Sequence, residues 1–384
     1  SGCVGQLLRA ARREAAQHLY SPRTVDQLLE WVRAHQAPRV GGIVISTART
    51  TIYPEVSGYF IPTLLQAGHH ALANKFGEAL LLAQFQDGSF GLGGESFIFD
   101  TSMVVRGLLA LSRRRPEDHR MRSALSAACD WLSAPEQVDP STNRWRVPST
   151  QNWGLPSGRG RISEGIHLLG ILPLRKCGKF LRRPGIIQRA DQLEKEYLSN
   201  SDSLPLSELV DFQRAHHLSH FFAYIQEALL ELGHVDLVQR GMRSVAIRQR
   251  EDGAVPGYFD VDWVCSTGLS QLAMVWYRMS AEARVNETTA LEYAARADAS
   301  LTFTFSNLQQ SASGGFTGSS GEGATYFPHE EISWAVKYAL DAVFAIPLSH
   351  FSRPATVNSF PDTISEKDPR ASMLSDLVLS EVSR

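Results

Sequence analysis

The chain has 384 residues, of which 43% are hydrophobic and 20% charged, a composition typical of a soluble globular protein and unlike that of a disordered one. Its net charge of -2 argues against a general affinity for nucleic acid, and no apolar run approaches the roughly 18 residues that a transmembrane helix needs. Four scattered cysteines without a CxxC pair, and an N-terminus without the apolar core of a signal peptide, lead us to expect a cytoplasmic protein.

Two alternating sets of helices are predicted along the chain, because apolar residues recur at intervals of three and four. The first set contains RTVDQLLEWVRAH, KFGEALLLAQ, RMRSALSAACDWLSA, IIQRADQLEKEYL, VDLVQRGMRSVAIRQ and ALEYAARADASLTFTF. The second set contains YPEVSGYFIPTLL, FIFDTSMVVRGLLAL, GRGRISEGIHLLGIL, DFQRAHHLSHFFAYIQEALLELG, FDVDWVCSTGLSQLAMVW and YFPHEEISWAVKYALDAVF. Each predicted pair consists of one helix from each set.

A glycine turn of the form Q-x3-G separates several of these helices. It begins at Gln84, Gln249 and Gln310, with a weaker relative at Gln36. Glycine permits the positive φ that a sharp reversal needs, and the spacing of the turns leaves room for about six repeating units.

This repetition predicts an all-α fold, an α/α toroid of about six helix pairs, or (α/α)6 barrel. An open helical solenoid is the structural alternative. The toroid domain is predicted over residues 22–348, after a helical extension at 1–21 and before a tail at 349–384 that ends in a short helix.

The Q-x3-G-aromatic turn resembles the QW-type repeat of the terpenoid cyclase and protein prenyltransferase superfamily. YPEVSGY…IPTLL together with GGF…YFPHEEISWAVKY more closely resembles bacterial toroid proteins of polysaccharide biosynthesis, which are related to the C-terminal helical domain of glucuronyl C5-epimerases. This resemblance spans roughly residues 22–348 and implies a glycan-active enzyme. The terpene cyclase acid motif, Asp-x-Asp-Asp, is incomplete here, since Trp263 follows Asp260-Val261-Asp262.

Acidic residues fall near the starts of four predicted inner helices, at Glu55, Asp100, Asp262 and Glu330. Asp100 is interpreted as a helix cap, because a carboxylate there accepts hydrogen bonds from free backbone N–H groups. Glu55 fits that role less well, since glutamate is a poor cap and Pro54 already suits a first turn. In a toroid all these helix starts would surround one mouth.

The candidate site residues are taken from that mouth, where carboxylates, a histidine and phenols permit acid–base chemistry. The catalytic candidates are Tyr53, Glu55, Asp262, Tyr326, His329 and Glu330. The substrate-binding candidates are Tyr59, Trp153, Arg159, Arg161, Tyr258, Asp260, Trp263, Glu322 and Trp334.

No cofactor is predicted. Asp262, Cys265 and His329 have the side chains for an alternative zinc site, although their spacing differs from that of protein prenyltransferases. The histidines of HHLSH (His216, His217 and His220) are interpreted as packed side chains.

The predicted function is action on a glycan or polysaccharide, either by proton abstraction of the C5-epimerase or lyase type or by hydrolysis with two carboxylates. A terpenoid cyclase or prenyltransferase with an isoprenoid substrate is the first alternative. A toroid that binds a glycan or a protein without catalysis is the second. Neither nucleic acid nor a membrane span is expected, and the oligomeric state stays open.

Overall fold

A computed structural model of the chain describes residues 22–146, 163–215, 217–310 and 312–347. The helices in these ranges are α1 (Pro22–Ala34), α2 (Pro54–Gln66), α3 (His70–Ala83), α4 (Ile98–Arg114), α5 (His119–Ser133), α6 (Leu168–Leu181), α7 (Pro184–Tyr197), α8 (Leu206–Val210), α9 (Phe212–Ala215), α10 (Ser219–Glu231), α11 (Val235–Ala246), α12 (Ser266–Ser280), α13 (Glu287–Phe303) and α14 (Ser333–Phe344). Two short antiparallel pairs join β1 (Gly91–Leu92) to β2 (Glu95–Ser96) and β3 (Val264–Cys265) to β4 (Ser319–Ser320).

The long helices form two concentric rings. In the inner ring, α2, α4, α6, α10, α12 and α14 each contact the next helix, and α14 contacts α2. Each inner helix also packs against one outer helix, and the last of these contacts joins α14 to α1. The described residues therefore form a closed α/α toroid of six helix pairs. The predicted fold class is confirmed, and the open solenoid is excluded.

Burial follows the two rings. Most residues of the inner helix α12 are buried around its whole circumference, whereas the outer helix α11 buries only Val235, Val238, Gly241, Met242 and Val245. These positions recur every three or four residues and make one apolar stripe that faces the inner ring.

Inner helices α2 and α4 pack very closely at two glycines. A Cβ atom on Gly107 would lie 2.2 Å from the carbonyl oxygen of Gly58, and one on Gly58 would lie 2.6 Å from the Cα of Val104. No side chain fits at either position, so these glycines set the distance between the two helices.

The Q-x3-G turn fixes each unit to the next outer helix. Gln84 donates through Nε2 to the carbonyl oxygens of Gly88 and of Ala124 in α5, both at 2.9 Å. Gly88 has φ of 91°, and a Cβ on it would lie 2.6 Å from the carbonyl oxygen of Ala127 in α5. The turn therefore needs glycine for both its backbone angle and its space.

The same arrangement recurs in the later turns, with one shift of register. Gln249 donates to Arg296 O in α13 at 2.9 Å. In the last turn, Gln309, not the predicted Gln310, donates to Gly314 O at 3.0 Å. One extra residue in that turn accounts for the difference.

The first and last units meet at the ring closure. Trp31 in α1 donates through Nε1 to Glu331 at 2.6 Å, and Glu331 also accepts from Ser313 at 2.6 Å. Gly314 lies against the side chain of Gln27, also in α1. The outer helix that begins the described chain thus supports the turn that precedes the last inner helix.

Several sequence predictions lie outside the described residues. These are the extension at 1–21, the tail at 349–384 and the side chains of Trp153, Arg159 and Arg161. Among the described residues, none of the helices has the length and apolar character needed to cross a membrane.

Candidate active site

Six buried side chains lie where the inner helices begin. They are Glu55, Asp100, His167, His220, Thr267 and Trp334. Aromatic contacts join some of them to neighbouring units, since the ring centroids of Tyr53 and Trp334 are 5.4 Å apart and those of Phe99 and His167 are 6.4 Å apart. The starts of these helices therefore lie near one another, as the sequence predicted.

Glu55 lies in the first turn of α2, where its carboxylate is 3% exposed. It accepts hydrogen bonds from Tyr224 Oη at 3.2 Å and from Trp334 Nε1, which lies 3.3 and 3.2 Å from its two oxygens. Burial raises the pKa of Glu55 to about 7, although these hydrogen bonds act to lower it. Glu55 can therefore exchange a proton near neutral pH.

Asp100 lies in the first turn of α4 and is fully buried. Among the described residues neither of its carboxylate oxygens makes a hydrogen bond of good geometry, although Tyr53 and the backbone N–H of Asp100 itself act to lower its pKa. The N-cap of α4 is Phe97, so Asp100 is not the cap, but it is the acid of the first turn. Burial raises the pKa of Asp100 well above its ordinary value, and the charge of Glu55 raises it further.

Glu55 and Asp100 thus form a pair of acids in unequal surroundings. Hydrogen bonds donated by Tyr224 and Trp334 stabilise the charged form of Glu55, whereas at Asp100 burial outweighs the hydrogen bonds of Tyr53 and the backbone and raises the pKa of its carboxyl well above the ordinary value. One carboxylate that can accept a proton and one carboxylic acid that can donate it are the elements of acid–base catalysis.

Phenols surround this pair. Tyr59 Oη lies 3.3 Å from Tyr224 Oη, which connects it to Glu55. Burial raises the pKa of Tyr53, Tyr59, Tyr224 and Tyr326 well above 10, and the charge of Glu55 adds to each shift. These phenols are neutral at physiological pH and act as hydrogen-bond donors.

Two buried histidines complete the polar ring. His220 Nδ1 lies 2.9 Å from Gln271 Oε1, and its ring packs on Tyr224 at 4.3 Å. Burial lowers the pKa of His167 to about 4 and that of His220 to about 3. Both imidazoles are therefore neutral at physiological pH.

The segment before α14 places aromatic side chains beside this cluster. The ring centroids of Tyr326 and His220 are 6.4 Å apart, and those of Phe327 and Trp334 are 6.1 Å apart. Phe327 has φ of 48°, a left-handed conformation that is costly for an aromatic residue. The guanidinium of Arg49 lies over its ring, 4.9 Å from the ring centroid. The glycine–serine stretch of this segment pairs with β3 as β4.

The structure brings together part of the predicted set. Tyr53, Glu55, Tyr59, Tyr326 and Trp334 are buried in the cluster. Tyr258 and Trp263 are also buried, with their rings 5.6 Å apart.

The other predicted residues lie elsewhere. His329, Glu322, Asp260 and Asp262 are exposed, and the Asp262 side chain is 97% exposed. Glu330 accepts a hydrogen bond from Ser46 Oγ, and this bond joins the loop before α2 to the loop before α14. The density of charges in GEGATYFPHEE mostly reflects a solvent-facing turn, from which the aromatic side chains of Tyr326 and Phe327 contact the cluster.

The alternative zinc ligands are not gathered. Cys265 is completely buried, whereas Asp262 and His329 face solvent. Among the described residues, no group of three His, Cys, Asp or Glu side chains is arranged to hold a metal ion.

Sequence reasoning missed Asp100, Tyr224, His167 and His220 as members of the cluster. The alignment of repeats placed Asp100 at the same helix-start position as Glu55, but a capping role explained an acid at that position equally well. The available signal for His220 was its position near the start of an inner helix. Tyr224 lies one turn later on the same helix, and nothing in its local sequence distinguishes it from a core residue.

No known protein family matches the sequence, and no curated protein is similar to it. Solved structures do resemble the fold. An unsaturated glucuronyl hydrolase specific for heparin superposes with a TM-score of 0.59 at 12% identity, covering 87% of this chain and 96% of that one. Cellobiose 2-epimerase from Spirochaeta thermophila superposes with a TM-score of 0.59 at 14% identity, and the match covers 88% of this chain and 97% of that one.

A D-mannose isomerase gives a TM-score of 0.60 at 10% identity, with 85% of this chain and 97% of that one covered. At these identities the likeness concerns the fold. The chain has the α/α-toroid architecture found in these glycan-processing enzymes.

Proposed function

We propose that the chain is a carbohydrate-active enzyme that uses Glu55 and Asp100 for acid–base chemistry on a glycan. The observation that carries the proposal is the burial of two carboxyl groups, Glu55 and Asp100, near enough for the charge of one to raise the pKa of the other. Two acids buried close together destabilise a fold, so a role outside stability accounts for their presence.

The two acids have different roles in this proposal. Asp100, as the carboxylic acid, donates its proton to the leaving oxygen of a glycosidic bond. Glu55, as the carboxylate, takes a proton from a water molecule, whose oxygen bonds to the anomeric carbon as the glycosidic bond breaks. Tyr224 and Trp334 stabilise the ionised form of Glu55.

The aromatic surroundings favour a sugar as the ligand. Tyr53, Tyr326 and Trp334 are buried at the cluster, and once substrate uncovers them their rings would pack against the C–H face of a pyranose. Substrate must reach buried acids, so we infer that the segment carrying Tyr326 and Phe327 moves during binding. The strained φ of Phe327 supports this assignment.

The structural neighbours support a glycan substrate over an isoprenoid. Their names include a glucuronyl hydrolase, a cellobiose epimerase and a mannose isomerase. The terpenoid alternative would use Asp260 and Asp262, which are exposed, whereas the buried acids are Glu55 and Asp100.

Proton abstraction of the C5-epimerase type is the second candidate, suggested by the toroid resemblance in the sequence. The geometry favours Glu55 as its base, because burial keeps the Tyr53 phenol protonated. A tyrosinate base is disfavoured on this ground.

The test is an activity screen of purified protein on uronate-terminated oligosaccharides, cellobiose and mannose in deuterated buffer. Bond cleavage detected by mass spectrometry supports hydrolysis or lysis, and deuterium gain without cleavage supports epimerisation or isomerisation. Whichever activity the screen detects must decrease in the Asp100→Asn variant. Saccharide binding without turnover across the panel would instead indicate a binding protein and overturn the proposal.

A further inference from the structure

A cavity of about 440 Å³ lies away from the candidate active site. Its walls come from later turns of α2, α4 and α10 and from the middle of α6. Arg113, one of its lining residues, lies roughly 20 Å beyond Asp100 along α4, at about 1.5 Å per residue. The cavity therefore opens at the other end of the inner ring.

The polar wall of this cavity is positively charged. Arg106, Arg113 and Lys176 line it together with one acid, Glu231. Arg106 pairs with Glu231 through both Nη atoms, at 2.8 and 2.7 Å. Burial alone would raise the pKa of Glu231, but Arg106 and further cations lower it to about 2. Glu231 is therefore ionised and already paired.

The charged residues behind this wall do not neutralise Arg113 and Lys176. Arg278 lies between two acids, 3.6 Å from Glu227 and 3.8 Å from Glu231. Those acids balance Arg106 and Arg278. Arg113 and Lys176 are exposed and form no ion pair with another described residue, so the cavity has two cations in excess.

Leu109, Leu172 and Pro173 also line the cavity and add apolar surface beside the cations. A volume of this size accommodates a small molecule rather than a polymer. Two cations without an ion pair, next to apolar side chains, suit a compact ligand with one strongly anionic group and one less polar face.

We propose that this cavity binds a small phosphorylated molecule of the size of a sugar phosphate, with Arg113 and Lys176 contacting the phosphate. The site goes beyond the proposed glycan chemistry and does not depend on it. Arg113 also lies in the last turn of α4, where a cation offsets the helix carbonyls. That structural role alone predicts no ligand binding, so binding measurements separate the two.

The experiment is titration calorimetry of the full chain with glucose 6-phosphate, inorganic phosphate and glucose at low ionic strength. We expect stoichiometric binding of glucose 6-phosphate, weaker at high salt, and no comparable binding of glucose. Equal affinity for inorganic phosphate would identify free phosphate as the ligand of the same site.

The double variant Arg113→Gln/Lys176→Gln is expected to weaken glucose 6-phosphate binding by about ten-fold or more, because each charged hydrogen bond is lost. The matched control is Lys195→Gln/Arg240→Gln on the outer helices, which removes two exposed cations and leaves affinity unchanged. No binding of either phosphate, or equal affinity in the Arg113/Lys176 variant, would overturn the proposal.

Discussion

Trp334 Nε1 lies within 3.3 Å of both carboxylate oxygens of Glu55, although 279 residues separate the two in sequence. The contact joins the last inner helix to the first. It therefore depends on closure of the ring, and the carboxylate that we propose as the base is held by both ends of the toroid.

Glu55→Gln is expected to reduce turnover of the glycan substrate by about 10²- to 10⁴-fold, since glutamine keeps the shape but cannot carry a proton or a charge. Steady-state kinetics on the substrate found in the activity screen measures this. Glu322→Gln, an exposed acid of the same predicted set, serves as the control and should retain wild-type rates. Near-wild-type turnover in Glu55→Gln would remove Glu55 from the mechanism.

The pH dependence of kcat/KM should show an acidic limb near pH 7. Glu55 must be ionised to act as a base, and its pKa is raised to about 7, so activity falls as pH drops below that value. Tyr224 donates a hydrogen bond that lowers this pKa, so Tyr224→Phe should move the limb to higher pH.

A tyrosine on an outer helix provides the control for that shift. Tyr293→Phe, in α13, should leave the limb in place. An unmoved limb in Tyr224→Phe would show that the titrating group is not Glu55.

Asp100→Asn should become increasingly more stable than the wild type as pH rises. The folded-state pKa of Asp100 is raised above its unfolded value of about 3.9. Between those two values the native state binds more protons than the unfolded state, so wild-type stability is lost as pH increases. The asparagine variant has no such proton to release.

Urea unfolding at pH 5, 6.5 and 8 measures this effect. The control Asp262→Asn changes an almost fully exposed side chain. The difference between its free energy of unfolding and that of the wild type should be the same at all three pH values. A flat difference for Asp100→Asn as well would mean that Asp100 is already ionised in the folded protein.

Gly107→Ala should destabilise the protein by roughly 1–3 kcal/mol or more, because its Cβ would lie 2.2 Å from the carbonyl oxygen of Gly58 and force α2 and α4 apart. Gly185→Ala, at the second residue of α7, has no atom within 4 Å of the new Cβ. It should be neutral or stabilising. Thermal unfolding compares the two, and equal loss of stability in both would refute the close-packing explanation.

The helical framework could be predicted because periodicity and glycine turns are local signals. The six inner and six outer segments read from the sequence correspond to helices of the two rings. The Gln310 turn was misplaced by one residue, since a second glutamine at 309 precedes it and the extra residue of that turn has no sequence signature.

The site was less predictable because partners of buried polar groups come from distant repeats. The sequence placed Asp100 at a helix start, where capping is the usual role, but could not show that its carboxylate is buried near that of Glu55. The charged run around His329 looked reactive, yet His329 faces solvent, while Glu330 and Glu331 form hydrogen bonds that hold loops together. Local composition does not distinguish an exposed acidic turn from a buried acid pair.

The contact between Trp31 and Glu331, 300 residues apart, has a consequence for how the protein folds. The mouth containing Glu55 is bounded by α14, so it is incomplete until the end of the described chain has left the ribosome. Closing so long a loop costs only modest entropy, since that cost grows with the logarithm of length. It does, however, place closure late in folding. During synthesis the exposed apolar flank of α2 is an aggregation hazard, and we expect it to be a binding surface for chaperones.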